Sequence, residues 1–397
     1  MSILSYLIWN VDPEFFTIPL IDRPVRWYGL LFALGFLISQ QFMFYFYRKE
    51  GKPEKDVETL TIYMIIATII GARLGHVLFY EPEKYLANPI DILKVWEGGL
   101  ASHGAAFGIL FALWLYTKYD IRVKFLWLIK GFIGIPIGGS AKNVTRPNQN
   151  YLQVVDRIVI VVALTGCLIR MGNFMNSEIY GLPTKSNYGV LFVKNVEQVL
   201  VSDTSPIEEL KITKEENDPL SKDGYVPIKL NLKFKNQPEI LNEESLTKYL
   251  EGHFKNIVDN YSYVNEHVKL PNPEKTEFAL NKNADNSYSA SVQALGIIRH
   301  PTQFYEAFTS LMLFFLLFFI WTRYKAKLPP GLLLGLFLII LFGLRFVHEL
   351  FKENQVSFED TMSLNMGQIL SIPLIIAGIF IFLRALKNGP VDPVEEK

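Results

Sequence analysis

Ionisable side chains stand inside or at the ends of long apolar segments in this 397-residue chain. Such a residue is costly within a membrane unless it is paired or faces water, so each one marks a candidate site. Several of them are arginines, whose planar fork of N–H donors matches the oxygens of a phosphate. The pattern therefore predicts a site for an anionic phospholipid headgroup.

The densest group is the run RMGNFMNSEIYG at 170–181, where an apolar segment ends. On a helix, Arg170, Asn173 and Ser177 would share one face at spacings i, i+3 and i+7. Core packing does not explain five polar groups within nine residues. We therefore interpret this run as functional.

Two further groups combine a charged or titratable residue with glycines. Gly71 and Gly75 have the spacing that lets two membrane helices approach closely, and Arg73 lies between them. Because Arg73 cannot easily reach water from a packed interface, we expect it to contact an acid or a lipid phosphate. His103 stands among glycines with Glu97 nearby, and this pattern leaves a structural and a catalytic role equally open.

Polar stripes also mark the later apolar segments. Their members are Arg299, Gln303 and Glu306 in one stripe, with His300 beside it, and Arg345, Glu349 and Lys352 in the other. Each stripe has the spacing of one helical face. A purely structural ion pair between Arg345 and Glu349 is an alternative. The run RWYGL at 26–30, taken alone, is typical of an interfacial anchor.

Apolar stretches separated by charged patches dominate the composition. Half of the residues are hydrophobic, the mean hydropathy is +0.20 and the formal net charge is +0, which gives no support to a nucleic-acid surface. Seven stretches have about the 20 residues that cross a bilayer. They are 26–47, 57–80, 98–117, 155–173, 301–321, 331–350 and 366–385. We interpret the shorter basic run 121–138 as an interfacial piece, a re-entrant piece or a local insertion.

Basic residues concentrate in alternate loops, which predicts an N-terminus outside and a C-terminus inside. The same parity places 182–298 outside, where the alternating run VPIKLNLKFKN predicts β structure. The fold class expected is an all-α polytopic membrane protein. It has seven transmembrane helices and a small extracytoplasmic α/β head between spans four and five. The expected domains are spans one to four (1–184), the head (185–297), spans five to seven (298–388) and a disordered cytoplasmic tail (389–397).

These motifs together resemble the prolipoprotein diacylglyceryl transferase family. The run 170–181 resembles the family signature, with Ile169 in place of the usual glycine. Further resembling motifs follow in the family's order: RWYGL at 26–30, GARLG at 71–75, HGAAFG at 103–108, HPTQFYE at 300–306 and MGQILSIP at 366–373. The segment 185–297 is longer than the usual head, and Lys352 stands where some members carry arginine.

The resemblance implies a reaction between a lipid and a protein thiol. The lipobox cysteine of a prolipoprotein displaces the phosphate of phosphatidylglycerol from a glycerol carbon. A thioether forms and glycerol phosphate is released, as the first step of bacterial lipoprotein maturation. The implied partners are these two substrates and the bilayer, with no nucleic acid, nucleotide, cofactor or metal. The implied location is the bacterial cytoplasmic (inner) membrane, with the active site toward the extracytoplasmic face.

The resemblance also implies roles for individual residues. Arg170 and Arg345 would bind the phosphate from opposite sides. His103 would accept the thiol proton, or would only hold lipid while the thiol ionises in the field of the arginines. Glu178 and Glu349 would orient the arginines, and Gly181 would let the chain turn. The expected substrate-binding residues are Tyr28, Arg73, Asn173, Asn176, Glu178, Gly181, His300, Glu306 and Glu349.

Two other classes of protein place arginines in a membrane. A transporter for anionic solutes would show paired repeats and broken helices near the midplane, and we find no repeat in this sequence. A non-catalytic lipid-binding scaffold would need the arginines and no base. Replacing His103 with alanine would leave such a scaffold functional.

Overall fold

A computed structural model describes residues 6–19, 22–95, 98–129, 133–186, 188–215, 224–237, 242–353, 359 and 362–392, with backbone alone over 122–138. The chain forms two compact units. The first holds residues 1–33, 167–309 and 345–368, and the second holds 34–166, 310–344 and 369–397.

Helices make up most of the described structure. They are α1 (Trp27–Lys49), α2 (Glu54–Phe79), α3 (Pro82–Ala87), α4 (Ser102–Lys118), α5 (Tyr151–Met175), α6 (Lys194–Leu200), α7 (Glu243–Tyr249), α8 (Lys255–Asn260), α9 (Ser262–Asn265), α10 (Thr302–Tyr324), α11 (Leu332–His348) and α12 (Met366–Asn388). Six of those in the described ranges are long and apolar enough to cross a membrane, namely α1, α2, α5, α10, α11 and α12.

The remaining predicted span, 98–117, contains helix α4. This helix has 17 residues, which gives a length of about 26 Å at 1.5 Å per residue. That length is at the lower limit for crossing a hydrocarbon core of about 30 Å. A count of seven spans therefore stays a prediction.

The described residues of the basic run, 121–129 and 133–138, fall in two paired antiparallel strands. Strands β4 (Tyr119–Ile129) and β5 (Ile133–Asn143) pair with each other along most of their length. Apolar residues alternate with basic ones at the start of this run, and its β-branched and aromatic residues favour strands. The interfacial, re-entrant and inserted arrangements of this run stay predictions.

In the second unit, helices α2 and α4 cross at glycines. A Cβ atom on Gly71 would lie 2.5 Å from the carbonyl oxygen of Gly104, and one on Gly75 would lie 2.7 Å from the Cα of Gly104. On the other helix, a Cβ atom on Gly108 would lie 2.7 Å from the carbonyl oxygen of Ala67. The close approach predicted from the spacing of Gly71 and Gly75 is confirmed.

A cluster of buried charged residues lies in another part of the second unit. The carboxylate of Glu50 contacts Arg157 at 2.9 Å and Lys52 at 2.6 Å, and it accepts a hydrogen bond from the indole of Trp321 at 2.6 Å. Burial lowers the pKa of Lys52 to about 8. The carboxylate offsets part of the cost of burying both cations.

The first unit contains the mixed α/β part of the chain. Its strands are β1 (Leu7–Trp9), β2 (Glu14–Ile18), β3 (Arg23–Arg26), β6 (Val190–Phe192), β7 (Ile207–Lys214), β8 (Tyr225–Phe234), β9 (Val268–Lys269), β10 (Phe278–Lys282) and β11 (Tyr288–Ile297). The main sheet has the order β10-β11-β8-β7, with β9 also paired to β11. The alternating run VPIKLNLKFKN corresponds to β8, in which buried and partly buried residues alternate.

His267, beside β9, is completely buried, and neither ring nitrogen has a hydrogen-bond partner among the residues that the structure describes. Its ring packs edge-on against Tyr180 at 5.0 Å between centroids. Burial, followed by the charge of Arg299, lowers the pKa of His267 to about 3. The folded protein therefore holds this ring in its neutral form.

The stability of the protein should depend strongly on the size of the side chain at the glycines where α2 and α4 cross. Gly104→Ala forces apart two backbones already in contact and should lower the free energy of unfolding by about 1–3 kcal/mol. Thermal unfolding in detergent measures the change. Gly343→Ala in α11 is the matched control, because a Cβ atom there meets nothing within 4 Å. An equal effect of the two substitutions would show that the crossing tolerates a side chain.

Because His267 is buried in its neutral form, the folded protein should lose stability in mild acid. The unfolded chain binds a proton at this residue below about pH 6.5, whereas the folded chain does so only near pH 3. The melting temperature should therefore fall as the pH drops from 6.5 towards 3, and less steeply in His267→Leu. Parallel melting curves of the two proteins across this range would contradict the assignment.

Candidate functional site

Five charged side chains of the first unit alternate in sign and touch in sequence. We call Arg170, Glu306, Lys352, Glu349 and Arg345, in that order, the ion chain. Glu306 is in direct ion-pair contact with both Arg170 and Lys352. The ammonium nitrogen of Lys352 lies 3.5 Å from Glu349 Oε1, and Arg345 Nη2 lies 3.7 Å from the same oxygen.

Helix ends supply three of these five side chains, and Glu349 and Lys352 follow the end of α11. Arg170 belongs to the last turns of α5 and Glu306 to the first turns of α10. Arg345 lies in the last turn of α11, where it is four residues before Glu349. The contacts expected among Arg345, Glu349 and Lys352 are present, although α11 ends at His348 and only Arg345 belongs to it.

The ion chain carries unbalanced charge. Three cations face two carboxylates, so its formal net charge is +1. The inner members Glu306, Lys352 and Glu349 are buried, whereas the side chain of Arg345 is 43% exposed. Arg345 makes no hydrogen bond to any residue in the described ranges. Its N–H donors are therefore available to an anion.

The signature segment lies beside Arg170. Arg170 Nη1 is 3.4 Å from Asn173 Oδ1, and Glu178 accepts hydrogen bonds from the side-chain amides of Asn173 at 3.5 Å and Asn176 at 3.1 Å. Glu306, and not the predicted Glu178, is the carboxylate in ion-pair contact with Arg170. The prediction that Glu349 orients Arg345 agrees with their contact.

Gly181 is required for a close approach of backbones. A Cβ atom there would lie 2.5 Å from the carbonyl oxygen of Phe351 and 2.8 Å from that of His300. The backbone of Gly181 is not left-handed, and its predicted role in a turn of the chain stays a prediction. Left-handed backbone occurs instead at Ser177 (φ 55°) and Ile179 (φ 56°).

Tyr28 packs against the helix that carries Arg170. Its Cα atom lies 2.9 Å from the position of a Cβ atom on Gly172, so this glycine admits the first turn of α1. The structure therefore brings Tyr28 and the signature segment together.

The RHP segment before α10 lies outside the helix. Because α10 begins at Thr302, Arg299 does not continue the predicted helical stripe to Glu306. Arg299 instead donates to the carbonyl oxygens of Gly181 at 3.1 Å and Glu266 at 2.8 Å. His300 Nδ1 lies 3.2 Å from the hydroxyl of Tyr305, and burial lowers the pKa of His300.

Arg73 is in the second unit, and its contacts differ from the prediction of an acid or phosphate. It is 3% exposed and donates to the backbone carbonyls of Asp91, Ile92, Gly98 and Gly99 at 2.5–3.3 Å. Four of the five N–H groups of a guanidinium are thereby used. Arg73 holds the segment before α4 in place.

His103 also belongs to the second unit. It is the second residue of α4, it is exposed, and its ring lies near Phe79 and Tyr80, with centroid distances of 5.4 and 5.8 Å. No described residue forms a hydrogen bond with it. Glu97, the predicted nearby carboxylate, lies outside the described residues.

Two residues of this region, Lys352 and His348, are absent from the predicted site residues. Lys352 lies seven residues after Arg345, and this helical spacing in the sequence was sufficient to include it among the site residues. His348, 8% exposed, lies within electrostatic range of Glu306 and Lys352. Within the described ranges, no group of three or more histidine, cysteine, aspartate or glutamate residues has an arrangement that could hold a metal ion.

The ion chain predicts that Glu306 is essential for stability. Glu306→Ala would leave the buried Lys352 and the partly buried Arg170 without their shared carboxylate, at a cost of about 3–5 kcal/mol. Thermal unfolding in detergent should show a melting temperature several degrees lower. Glu54→Ala is the control, because it removes an exposed partner of Arg48 and should leave the melting temperature unchanged. Equal melting temperatures of Glu306→Ala and the unmodified protein would contradict a structural role for the ion chain.

Sequence comparisons relate the whole chain to one family. A family model described as prolipoprotein diacylglyceryl transferase matches residues 13–140 and 130–384. Relatives named phosphatidylglycerol–prolipoprotein diacylglyceryl transferase include one from Tolumonas auensis, 34% identical, with 96% of this chain and 98% of the relative covered. Another, from Porphyromonas gingivalis, is 30% identical, with 100% and 99% covered. The chain belongs to the prolipoprotein diacylglyceryl transferase family.

Proposed function

We propose that this protein transfers the diacylglyceryl group of phosphatidylglycerol to the lipobox cysteine of prolipoproteins. A thioether forms and glycerol phosphate is released, which begins bacterial lipoprotein maturation. The family membership supports the reaction and both substrates. The observation that carries the site assignment is the ion chain, whose net charge of +1 and exposed Arg345 suit one phosphodiester anion.

The two arginines at the ends of the ion chain would bind the phosphate. Arg345 has N–H donors without a described partner, and the side chain of Arg170 is 24% exposed. A guanidinium can bind two phosphate oxygens at once. Glu306 and Glu349 keep both arginines in position. Tyr28 and Asn173 would hydrogen-bond the headgroup, and Asn173 lies 3.4 Å from Arg170.

The same charges would help the leaving group to depart. Breaking the carbon–oxygen bond leaves the phosphate with a second negative charge, which fixed cations in a site poor in water stabilise strongly. The thiol must also lose its proton, because a free cysteine with a pKa near 8.5 is mostly protonated at neutral pH. A net positive field favours the thiolate. His103 stays a candidate for accepting the proton or for holding lipid.

The membrane arrangement is proposed from the charge of the loops and the helix lengths. Six apolar helices and the family indicate a multi-pass protein of the bacterial inner membrane. With α4 as a seventh span, the N-terminus is outside and the ion chain lies toward the extracytoplasmic face. Spans would then occupy 1–184 and 298–388, the head 185–297, and a cytoplasmic tail 389–397.

Arg345 tests the proposal most simply. Arg345→Ala should lower turnover by about 100-fold or more, since losing one charge-stabilising donor costs about 3 kcal/mol. Arg345→Lys should retain part of the rate, because lysine keeps the charge and lacks the fork. Mass spectrometry of a lipobox peptide with phosphatidylglycerol measures the diacylglyceryl product and the released glycerol phosphate. Arg384→Ala, at the far end of α12, is the control.

The outcomes separate the proposal from the lipid-binding scaffold. Product formation by the unmodified protein and its loss in Arg345→Ala support the transferase and the phosphate role together. Unchanged turnover in Arg345→Ala would remove this residue from the phosphate site. Bound phosphatidylglycerol without any product from folded, unmodified protein would favour the scaffold.

A further inference from the structure

A cavity of about 580 Å³ lies in the first unit beside strand β9, and we call it the β9 pocket. Its buried apolar lining residues are Val258, Leu270 and Ile297. The volume lies within the range of about 300–1,000 Å³ that is typical of ligand sites. The β9 pocket is therefore much larger than a single ion or water molecule needs.

The walls of the β9 pocket are held in place by the rest of the first unit. Val258 and Leu270 also belong to the hydrophobic core that includes residues of β8 and β11. On the exposed side, the ammonium of Lys269 donates to the hydroxyl of Tyr225 at 3.2 Å and lies 5.1 Å from the centroid of its ring. A ligand would therefore meet a wall that needs little ordering on binding.

Charged groups of both signs line the rest of the β9 pocket. They are Asp259, Glu266, Lys269 and Arg299. The carboxylates disfavour a phosphate or an anionic headgroup, and the cations disfavour a metal ion, because like charges placed together are costly. A peptide backbone has a donor and an acceptor at almost every residue, so it can pair with both kinds of group. The lining thus fits an extended peptide better than a ligand whose charges all have one sign.

The charge most available to a ligand is that of Lys269. The other three charged residues already have polar partners, namely Lys255 for Asp259 at 2.6 Å, Tyr180 for Glu266 at 2.9 Å and Glu353 for Arg299 at 2.6 Å. Lys269 forms no ion pair with any residue in the described ranges. A lysine ammonium has three donors, and Tyr225 accepts one of them. The remaining donors can reach the carbonyl oxygens of a bound peptide.

Arg299 connects the β9 pocket to the ion chain. This residue lines the pocket, and its guanidinium contacts Glu353, which directly follows Lys352 of the ion chain. Arg299 also donates to the carbonyl oxygen of Gly181, and Gly181 forms a backbone bridge with Lys352. The pocket and the ion chain are thus linked through one side chain and its direct contacts.

The direction of the protein substrate points to the same pocket. A signal peptide has a basic segment before its apolar segment, and basic residues stay on the cytoplasmic side of a membrane. The residues that follow the lipobox cysteine therefore emerge on the extracytoplasmic side. In the membrane arrangement proposed above, segment 185–297 lies on that side, and it supplies most of the pocket lining.

We propose that the β9 pocket binds the stretch of the prolipoprotein that directly follows the lipobox cysteine, an inference that rests on the proposed function. An apolar side chain of this stretch packs on Val258, Leu270 and Ile297, and its carbonyl oxygens accept hydrogen bonds from Lys269. The pocket holds the cysteine beside the ion chain. Occupancy therefore lowers the KM of the protein substrate, whereas the ion chain determines kcat.

Two synthetic substrates test this role. Both are lipobox peptides with an amidated C-terminus, of which one ends one residue after the cysteine and the other ends eight residues after it. Eight extended residues cover about 26–29 Å. The diacylglyceryl mass gain with phosphatidylglycerol in detergent gives KM and kcat for each peptide. With the unmodified protein, the longer peptide should have a KM about tenfold lower and a similar kcat.

Substitutions in the pocket should remove this advantage of the longer peptide. Pro273→Trp places a large ring at an exposed part of the lining, and Lys269→Glu replaces the donor with a carboxylate. In both variants the KM values of the two peptides should become equal. Lys211→Glu is the matched control, because this exposed lysine lies in β7, at the opposite edge of the main sheet. Melting temperatures show that each variant is folded.

Equal KM values of the two peptides in the unmodified protein would overturn the proposal. An advantage of the longer peptide that persists in both folded pocket variants would overturn it as well. The ratio of the two KM values within one variant separates the effect of the pocket from a general loss of activity.

Cross-linking makes the test independent of turnover. A photoreactive residue six positions after the cysteine should label residues within 258–273 of the unmodified protein, and this labelling should be lost in Pro273→Trp. Labelling only outside 258–273 would contradict the pocket. Labelling within 258–273 without any diacylglyceryl product would support the pocket and contradict the proposed transferase. The two assignments can therefore fail separately.

Discussion

The carboxylate of Glu306 lies between two cations, and the arrangement of the site depends on this contact. Arg170 comes from the end of α5 and Lys352 from the segment that follows α11. Burying Lys352 without a carboxylate would cost several kcal/mol. With the carboxylate between them, three distant parts of the chain are held together. The contact requires the chain near Gly181 to pass close to Phe351, and any side chain larger than hydrogen would separate them.

The ion chain also explains how one site can be rigid and still receptive to an anion. Its interior charges are paired and buried, which fixes their positions. Its end at Arg345 is partly exposed, and the sum of the charges is +1. A bound phosphodiester would bring this sum to zero. The increase in phosphate charge during the reaction then meets cations already in place, so little reorganisation is needed.

Much of this arrangement could be predicted from the sequence. The spacing of Gly71 and Gly75 predicted a close helix crossing because backbones approach only where side chains are absent. The stripe containing Arg345 and Glu349 predicted an ion pair because residues four apart share a helical face. The alternation in β8 predicted a strand with one buried face. Local periodicity is sufficient for each of these features.

Other features depend on contacts between distant segments, which periodicity does not encode. The partner of Arg170 is 136 positions away at Glu306, whereas the prediction chose the nearby Glu178. Arg73 was expected to need an anion, and four backbone carbonyls serve instead. Because every residue has a backbone carbonyl, the residue types in the sequence do not indicate which carbonyls will accept from Arg73.

The central claim is that one uncompensated positive charge of the ion chain binds the lipid phosphate. Native mass spectrometry of detergent-solubilised protein, offered equal amounts of phosphatidylglycerol and phosphatidylcholine, measures this directly. Arg345→Glu changes the formal charge of the ion chain from +1 to −1 without touching Glu306. The account predicts that the unmodified protein prefers phosphatidylglycerol and that Arg345→Glu loses the preference while it stays folded. The same preference in both proteins would contradict the account.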